Sequence, residues 1–313
     1  MGSEFYKKLN LGRFLALCLI AVFLVISLGK LWRSRNVFGQ GGRANLVIQD
    51  PLAVVSYDLN SRQITYFLIS ADAQIIIPHG GGTISAKNFP KFVGQEKRGM
   101  DFAKDAVMIT LGIGIDAAVG KDAGGLGYGI EGEGVKARGI WQRLKEVEAS
   151  GLTWKEKIAL FRLVSGVGTP RVKVVGLSDA GLFDEHLQPD NNVVKQVDLL
   201  RSLQFFYQKI RDEQIVDENV TVTVLNGTQT PLLARLVGTI LRSSGIRVIR
   251  EGQGESRPAK CLINARPELK GSHTLSRLQG WLGCDFSSNE VHGRSDMTVV
   301  LGEGFAGLVG EAN

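Results

Sequence analysis

Two stretches in which strand-like and helix-like segments alternate, preceded by an uncharged apolar run, predict a membrane-anchored α/β protein of two domains. The longer alternation covers residues 44–215, the shorter covers 220–305, and the apolar run is Phe14–Gly29. A chain of 313 residues has the length of about two domains.

The run "FLALCLIAVFLVISLG" extends through Lys30, Leu31 and Trp32 to a span of 14–32. A bilayer core needs about 17–25 helical residues, so the span suffices if Lys30 snorkels and Trp32 sits at the interface. The bulky, basic "GKLWRSR" that follows offers no small-residue cleavage site, which favours an uncleaved anchor over a signal peptide. Leu17 is too large for the position before a lipidated Cys18. On this reading residues 1–13 are the N-terminus before the anchor, cytoplasmic if the domains that follow lie outside the cell, and 33–43 are a linker. Charge alone does not choose the orientation: Lys7, Lys8 and Arg13 precede the span, and Lys30, Arg33, Arg35 and Arg43 follow it.

In the first domain, Ala44–Gln49 opens a β-rich block. "LAVVSYDL" and "QITYFLIS", separated by "NSR", predict a hairpin. "AQIIIPHGGG" is a third short apolar run, ended by Pro78 and glycines. Phe102, Ala106, Ile109 and Thr110 place a helix over 100–111, and "IGIDAAV" reads as the strand after it. The Gly-rich stretch 120–139 lacks the strand-then-helix frame of a nucleotide fingerprint and reads as an insertion. Segments 140–147 and 153–164 are helical, the second with a Thr153/Glu156 capping box. "RVKVVGL" is a strand, and Val193, Val197, Leu200, Leu203, Phe206, Tyr207 and Ile210 predict one long amphipathic helix over 192–215.

The second domain, 220–305, reads as βαββαβ, a small α+β unit with helices on one face, followed by a tail, 306–313. "TVTVLN" is its first strand. Asn226-Gly227 turns the chain, Thr230 caps the next helix, Pro231 takes its first position and Gly245 closes it. A Gly turn between strand and helix is also how phosphate is held. This one has a single glycine, and Pro231 removes an N–H donor, so the turn reading is preferred. "IRVIRE" and "KCLINA" are strands, Ser272 caps a helix ended by Gly283, and "MTVVLG" is the last strand.

Charge and ligand chemistry narrow the function. The net charge of +6, part of it flanking the span, suits anionic lipid or an anionic polymer. No basic run is interleaved with aromatics, which argues against nucleic acid. His79, His186, His273 and His292 show no metal-ligand spacing. Cys261 and Cys284 either pair, if their domain lies outside the cell, or stay as two separate buried thiols.

"VTVLNGT" before an amphipathic helix, "SSGIRVI" after it and "SDMTVVLGEGF" at the end of the domain resemble the LytR C-terminal domain, over residues 220–305. "DPLAVVSYDLNSRQITYFLISADAQIIIP" and "DFAKDAVMITLGIGIDAAV" resemble a degenerate LytR-CpsA-Psr (LCP) catalytic domain over 44–215. The resemblance implies a single-pass cell-membrane protein with both domains extracytoplasmic, acting in cell-envelope and cell-wall biogenesis. It also implies a reaction: transfer of a phosphate-linked glycopolymer from a polyprenyl pyrophosphate lipid to the cell wall. A pyrophosphate leaving group needs Mg²⁺ on carboxylates and arginine forks. Asp50 and Asp72 are the candidate metal ligands, with a strand-end turn cap as the plain alternative for each. Lys195, beside Gln196, is the candidate phosphate ligand, standing where the family places an Arg-Gln pair. Ala71 stands where the family has an arginine before the aspartate, and a lysine is a point charge rather than a fork.

Three readings follow. One is a non-catalytic envelope protein that binds wall polymer or a partner protein. Another is an LCP-type phosphotransferase with an altered site and Mg²⁺ as cofactor. The third is an anchored α/β domain with a structural role. Whether the chain is an enzyme, and its oligomeric state, are left open at this level.

Overall fold

The computed structural model describes residues 42–58, 60, 61, 63–120, 149, 150, 171–187, 193–288, 291 and 293–309. The expected span 14–32, nearly all of the Gly-rich stretch, and the expected helices at 140–147 and 153–164 lie outside those residues. Among the described residues no helix is long and apolar enough to cross a membrane.

The first domain is built on a six-stranded mixed sheet. Its strands are β1 (Arg43–Gln49), β2 (Leu52–Asp58), β3 (Gln63–Leu68), β6 (Ala117–Val119), β7 (Ala149–Ser150) and β8 (Arg171–Gly176), in the order β7-β6-β1-β2-β3-β8. β2 runs antiparallel to β1 and β3, while β6 and β8 run parallel to β1 and β3. Four strands therefore point their carboxyl ends to one edge of the sheet. β1 and β2 are buried along nearly their whole length, on both faces. Runs such as "ANLVI" and "LAVVSY" are apolar without alternation for that reason.

A small hairpin, β4 (Gln74–Ile76) with β5 (Thr83–Ser85), leads to two helices, α1 (Phe89–Val93) and α2 (Gly99–Leu111). Phe102 of α2 stacks on Phe89 at 6.4 Å between ring centroids. Ala106, Val107 and Leu111 turn α2 into the core. Gly112, at φ 64°, ends it with a left-handed cap.

The expected long helix over 192–215 is three elements. Val193–Val197 is a strand, β10, paired antiparallel with β9 (Phe183–Leu187). Helix α3 (Leu199–Ile210) starts behind Asp198, whose carboxylate accepts the N–H groups of Leu200 and Arg201. Helix α4 (Glu213–Glu218) starts behind Asp212, which accepts the Gln214 N–H. The misreading has a simple origin. Val193 and Val197 are four residues apart, a spacing that fits a helical face and a strand face equally. The two aspartates are the stops that the apolar pattern hid. Phe206 of α3 meets Phe67 of β3 edge-on at 5.3 Å, which fixes α3 on the sheet.

The second domain runs β11 (Thr221–Asn226), α5 (Leu233–Ser243), β12 (Arg247–Gln253), β13 (Leu262–Ala265), α6 (His273–Leu282), β14 (Asp285–Ser287), β15 (Met297–Leu301) and α7 (Glu303–Val309). The order is βαββαββ followed by a helix, with one strand more than expected. β14 has only three residues, too few to show alternation, and pairs parallel with β13. Residues expected as tail begin inside α7. The sheet order is β12-β11-β15-β13-β14, with β11 and β15 parallel and central.

Gly245 (φ 98°) closes α5 as expected: its N–H bonds Arg242 O, and the Ile246 N–H bonds Leu241 O. The expected start of α5 does not hold. Helix begins at Leu233, after Leu232 at φ 60° with no side-chain cap. The Asn226 side chain explains the shift. It accepts both the N–H and the hydroxyl of Thr228 and donates to Thr230 O, so 226–230 closes into a loop of its own. Thr230 is thereby held away from the cap position.

Cys261 and Cys284 form a disulfide across 23 residues of sequence, which decides between the two open readings. Closing a loop of that size contributes about 3 kcal/mol in the chain-entropy view.

The described residues of both domains belong to one compact unit, and a single apolar core runs through both. At the seam between them, Arg277 of α6 and Asp116, just before β6, are each 3% exposed and pair at 2.7 Å. Arg277 also donates to the carbonyl of Arg43, and its guanidinium lies over the Trp281 ring. Trp281 Nε1 donates to Asp116, which accepts the Asn45 N–H as well. On the other side of Arg277, Asp212 receives the Arg43 N–H and meets His273 Nε2 at 2.8 Å. Gly114 lies against the Trp281 ring so closely that a Cβ would sit 2.6 Å from it. Glu218, at the end of α4, accepts the N–H groups of His273 and Thr274 and so holds the start of α6.

Removing one partner of a buried ion pair leaves the other charge uncompensated. Arg277→Ala is expected to lower the unfolding free energy by about 3–5 kcal/mol, measured by urea denaturation; a loss of under about 1 kcal/mol would mean that water reaches the seam. Acid should act through Asp212. Burial pushes its carboxyl up, but the His273 hydrogen bond and the Arg277 charge outweigh burial and hold it below the ordinary carboxylate value. Its contribution is then complete above the unfolded value of about 3.9 and is lost as pH falls through the lower folded value. The urea midpoint should stay level from about pH 7 to 5 and drop below about pH 4. Asp212→Asn should make that drop shallower, and identical acid slopes would rule the assignment out.

Candidate functional site

The carboxyl edge of the first sheet is where an open α/β sheet binds ligands, and the residues singled out from sequence lie there. Asp50 occupies the exposed turn from β1 to β2, before a cis peptide to Pro51. Asp72 lies in the turn after β3. Ile69 N–H bonds Leu52 O, which sets the two turns at the same end of the sheet. Lys195 comes from β10, and its bridge partner is Ala73.

Asp72 and Lys195 are brought together: the ammonium lies 2.8 Å from Asp72 Oδ2. The Ser70 hydroxyl bonds the other oxygen of Asp72. Lys195 and then Ser70 hold the Asp72 carboxyl below the ordinary value, and the same pairing raises the Lys195 ammonium. The Asp72 side chain is 51% exposed, so this is a solvated pair at the rim. Asp50 is not drawn into it by any hydrogen bond or ion pair among those described.

Mg²⁺ takes carboxylates together with water and phosphate oxygens. Here the Lys195 ammonium lies on one Asp72 oxygen and the Ser70 hydroxyl on the other. Among the described residues no three His, Cys, Asp or Glu side chains gather at metal-binding distance. The arrangement does not fit a divalent ion as it stands, and no chemical step is assigned to one.

A second group at this edge was not legible from the spacing of acids and bases alone. Arg98 immediately precedes α2, and the start of α2 meets the end of β1, where Gln49 reaches Met100 Sδ. Arg98 bonds Asp105 at 2.8 Å and lies 3.0 Å from His79 Nε2. Asp105 is 7% exposed. Burial pushes its carboxyl above the ordinary value, against the pull of Lys104 and Arg98. Roughly half of the Arg98 side chain stays open to solvent. The clue available in the sequence was the seven-residue interval from Arg98 to Asp105, two helical turns, which sets both on one face. His79 (φ 66°) follows Pro78, and nothing in its neighbourhood marks it as a partner for an arginine 19 residues on.

The domain seam lies at the opposite edge. Arg43 begins β1, Asp116 precedes β6, and both meet α6 there. The second domain thus holds the amino edge of the first sheet, and Asp50, Asp72, Arg98 and Lys195 lie at the other end.

No curated protein matches the sequence. Residues 219–305 match the family described as LytR cell envelope-related transcriptional attenuator. Among solved structures, the chain is similar to the LytR-CPS2A-psr family protein YwtF (TagT) with bound octaprenyl pyrophosphate lipid, at 14% identity and a TM-score of 0.35, over 53% of this chain and 88% of that one. It is similar to TagV of Bacillus subtilis at 13% identity and a TM-score of 0.36, over 53% and 94%. It is also similar to the transcriptional regulator EF0465 of Enterococcus faecalis at 12% identity and a TM-score of 0.36, over 68% and 92%. The expected C-terminal family is therefore met almost to the residue: its model matches residues 219–305, against an expected 220–305.

Proposed function

We propose that this chain is a membrane-anchored, extracytoplasmic cell-envelope protein whose two domains bind wall polymer or a partner protein without catalysing transfer. The Asp72–Lys195 pair carries this reading. At the position where pyrophosphate chemistry needs a metal-bound carboxylate next to an arginine fork, the carboxylate is engaged by a lysine and the neighbouring side chain is a methyl group, Ala71. The LytR C-terminal domain supports the envelope setting. The Cys261–Cys284 bond supports the orientation, because structural disulfides persist in oxidising compartments outside the cytosol. The apolar run 14–32 is the proposed anchor, and the net positive charge suits an anionic polymer.

One observation favours the alternative, an LCP-type phosphotransferase. The half-open Arg98 guanidinium, held by Asp105, places a bidentate cation at the edge where residue 71 supplies none. The experiment is to offer the full chain in detergent a polyprenyl-pyrophosphate-linked glycan with Mg²⁺ and, separately, to sediment it with isolated wall polymer. The expected result is salt-sensitive co-sedimentation and no cleavage above background. Cleavage that requires Mg²⁺ and is abolished by Asp72→Ala would replace the binding reading with the enzymatic one.

A further inference from the structure

The second domain meets the first through α5, which packs on α3 and beside Gly112, and through α6, which carries the polar part of the seam and is tied down at three places. Its first turn is held by Glu218, which accepts the N–H groups of His273 and Thr274, next to the Ser272 cap. Its middle is held by Arg277 on Asp116. Its far end is held by covalent chemistry: Gly283 caps the helix, and the next residue is Cys284, bonded to Cys261 at the start of β13. The whole helix therefore lies inside the loop that the disulfide closes. Both cysteines are buried, and the Asp285 N–H to Cys261 O hydrogen bond continues the junction.

The seam depends on the angle at which α6 is presented. Arg277 must reach Asp116 and the Arg43 carbonyl together, while Trp281, one turn on, puts its Nε1 on Asp116 and its ring against Gly114. Trp281 is three residues from Cys284. A shift of the C-terminal end of α6 by the length of one bond takes Trp281 out of reach of Asp116, because a hydrogen bond fails beyond about 3.5 Å. Without the disulfide, that end is held by the buried side chains of Leu278, Trp281 and Leu282, by the Lys104 ammonium on the Gly280 carbonyl and by β14, a three-residue edge strand.

We propose that the Cys261–Cys284 bond is an oxidation-dependent lock on domain docking: the second domain completes the amino edge of the first only after the bond has closed α6 onto β13. In the closing step the two thiols give up two protons and two electrons. The acceptor is a disulfide, of a protein or of a small thiol compound, which passes through a mixed disulfide and leaves as two thiols. Burial of both sulfurs in the finished fold makes closure an assembly event and shields the bond afterwards. Chain retained in a reducing compartment would hold α6 by its first turn, Arg277 and its apolar face, with the seam loosened at Trp281.

The test compares three forms of the full chain in detergent by hydrogen exchange. They are the oxidised protein, the protein reduced and refolded under reductant (free thiols counted by alkylation), and C261S/C284S. Segments 42–46, 112–117 and 273–282 report the seam, while 221–226 and 297–301 report the core of the second domain. The expected result is at least tenfold faster exchange of the seam segments in both thiol-free and reduced forms, with the two core strands still protected. Arg277→Met with the bond intact should give the same seam pattern. Unchanged seam exchange after verified reduction would overturn the proposal. Equal loss of protection in β11 and β15 would overturn it too, because the bond would then be a general staple of the domain.

Discussion

A guanidinium buried between two domains sets the terms for the rest of this molecule. Arg277 has left water, and burying a charge is tolerated only when partners replace its solvation shell. Those partners come from both domains and from far apart in the chain: the Asp116 carboxylate, the Arg43 carbonyl, the Trp281 ring and, at 3.8 Å, Asp212. The carboxylate and the carbonyl among them lie outside α6 and reach the guanidinium only when the domains are docked. The two domains are therefore interdependent rather than beads on a linker, and the apolar core that passes through both is a consequence as much as a cause. Between independent domains, relative motion is the usual expectation. Here it would expose a buried charge at each excursion.

The fold was legible where local rules decide. In the first sheet β1, β2, β3, β6 and β8 follow from apolar period over a few residues, as do α2, the Gly245 stop and the Ser272 cap from period and cap chemistry, while β7, two residues at 149–150, does not. The failures share a cause. The segment 192–215 was misread because Val193 and Val197 satisfy two periods at once, and only the pairing of β10 with β9 resolves them. Thr230 has the right chemistry for a cap, but Asn226 four residues earlier claims the loop. β14 is too short to carry a pattern of its own. Arg277 was invisible for a different reason. An arginine in an amphipathic helix reads as solvent-facing, and the acid that reverses this is 161 residues away.

The candidate site shows the same division. Asp50, Asp72 and Lys195 could be named from sequence, and so could Ala71, whose methyl group offers an anion no donor. That Asp72 meets Lys195 could not, because the contact depends on β10 being a strand and on its bridge to Ala73. Arg98 was missed because its role comes from Asp105, a carboxylate buried on the face of a helix that otherwise reads as apolar core. Chemistry at this edge rests on long-range placement of a few exposed groups, while the edge itself rests on short-range rules.

The separation of the two ends of the first sheet has a consequence for how such a chain can change over time. At the amino edge, a substitution in one domain has to be matched in the other, since Asp116, Arg43, Arg277 and Trp281 answer to each other. At the carboxyl edge, Asp50, Asp72 and Lys195 are solvated, and the core is complete without them. Random drift is therefore channelled to one pole of the molecule. Residue 71 is exposed, so its side chain can change without disturbing a buried contact, and a scaffold of this kind can exchange its chemistry long before it loses its shape.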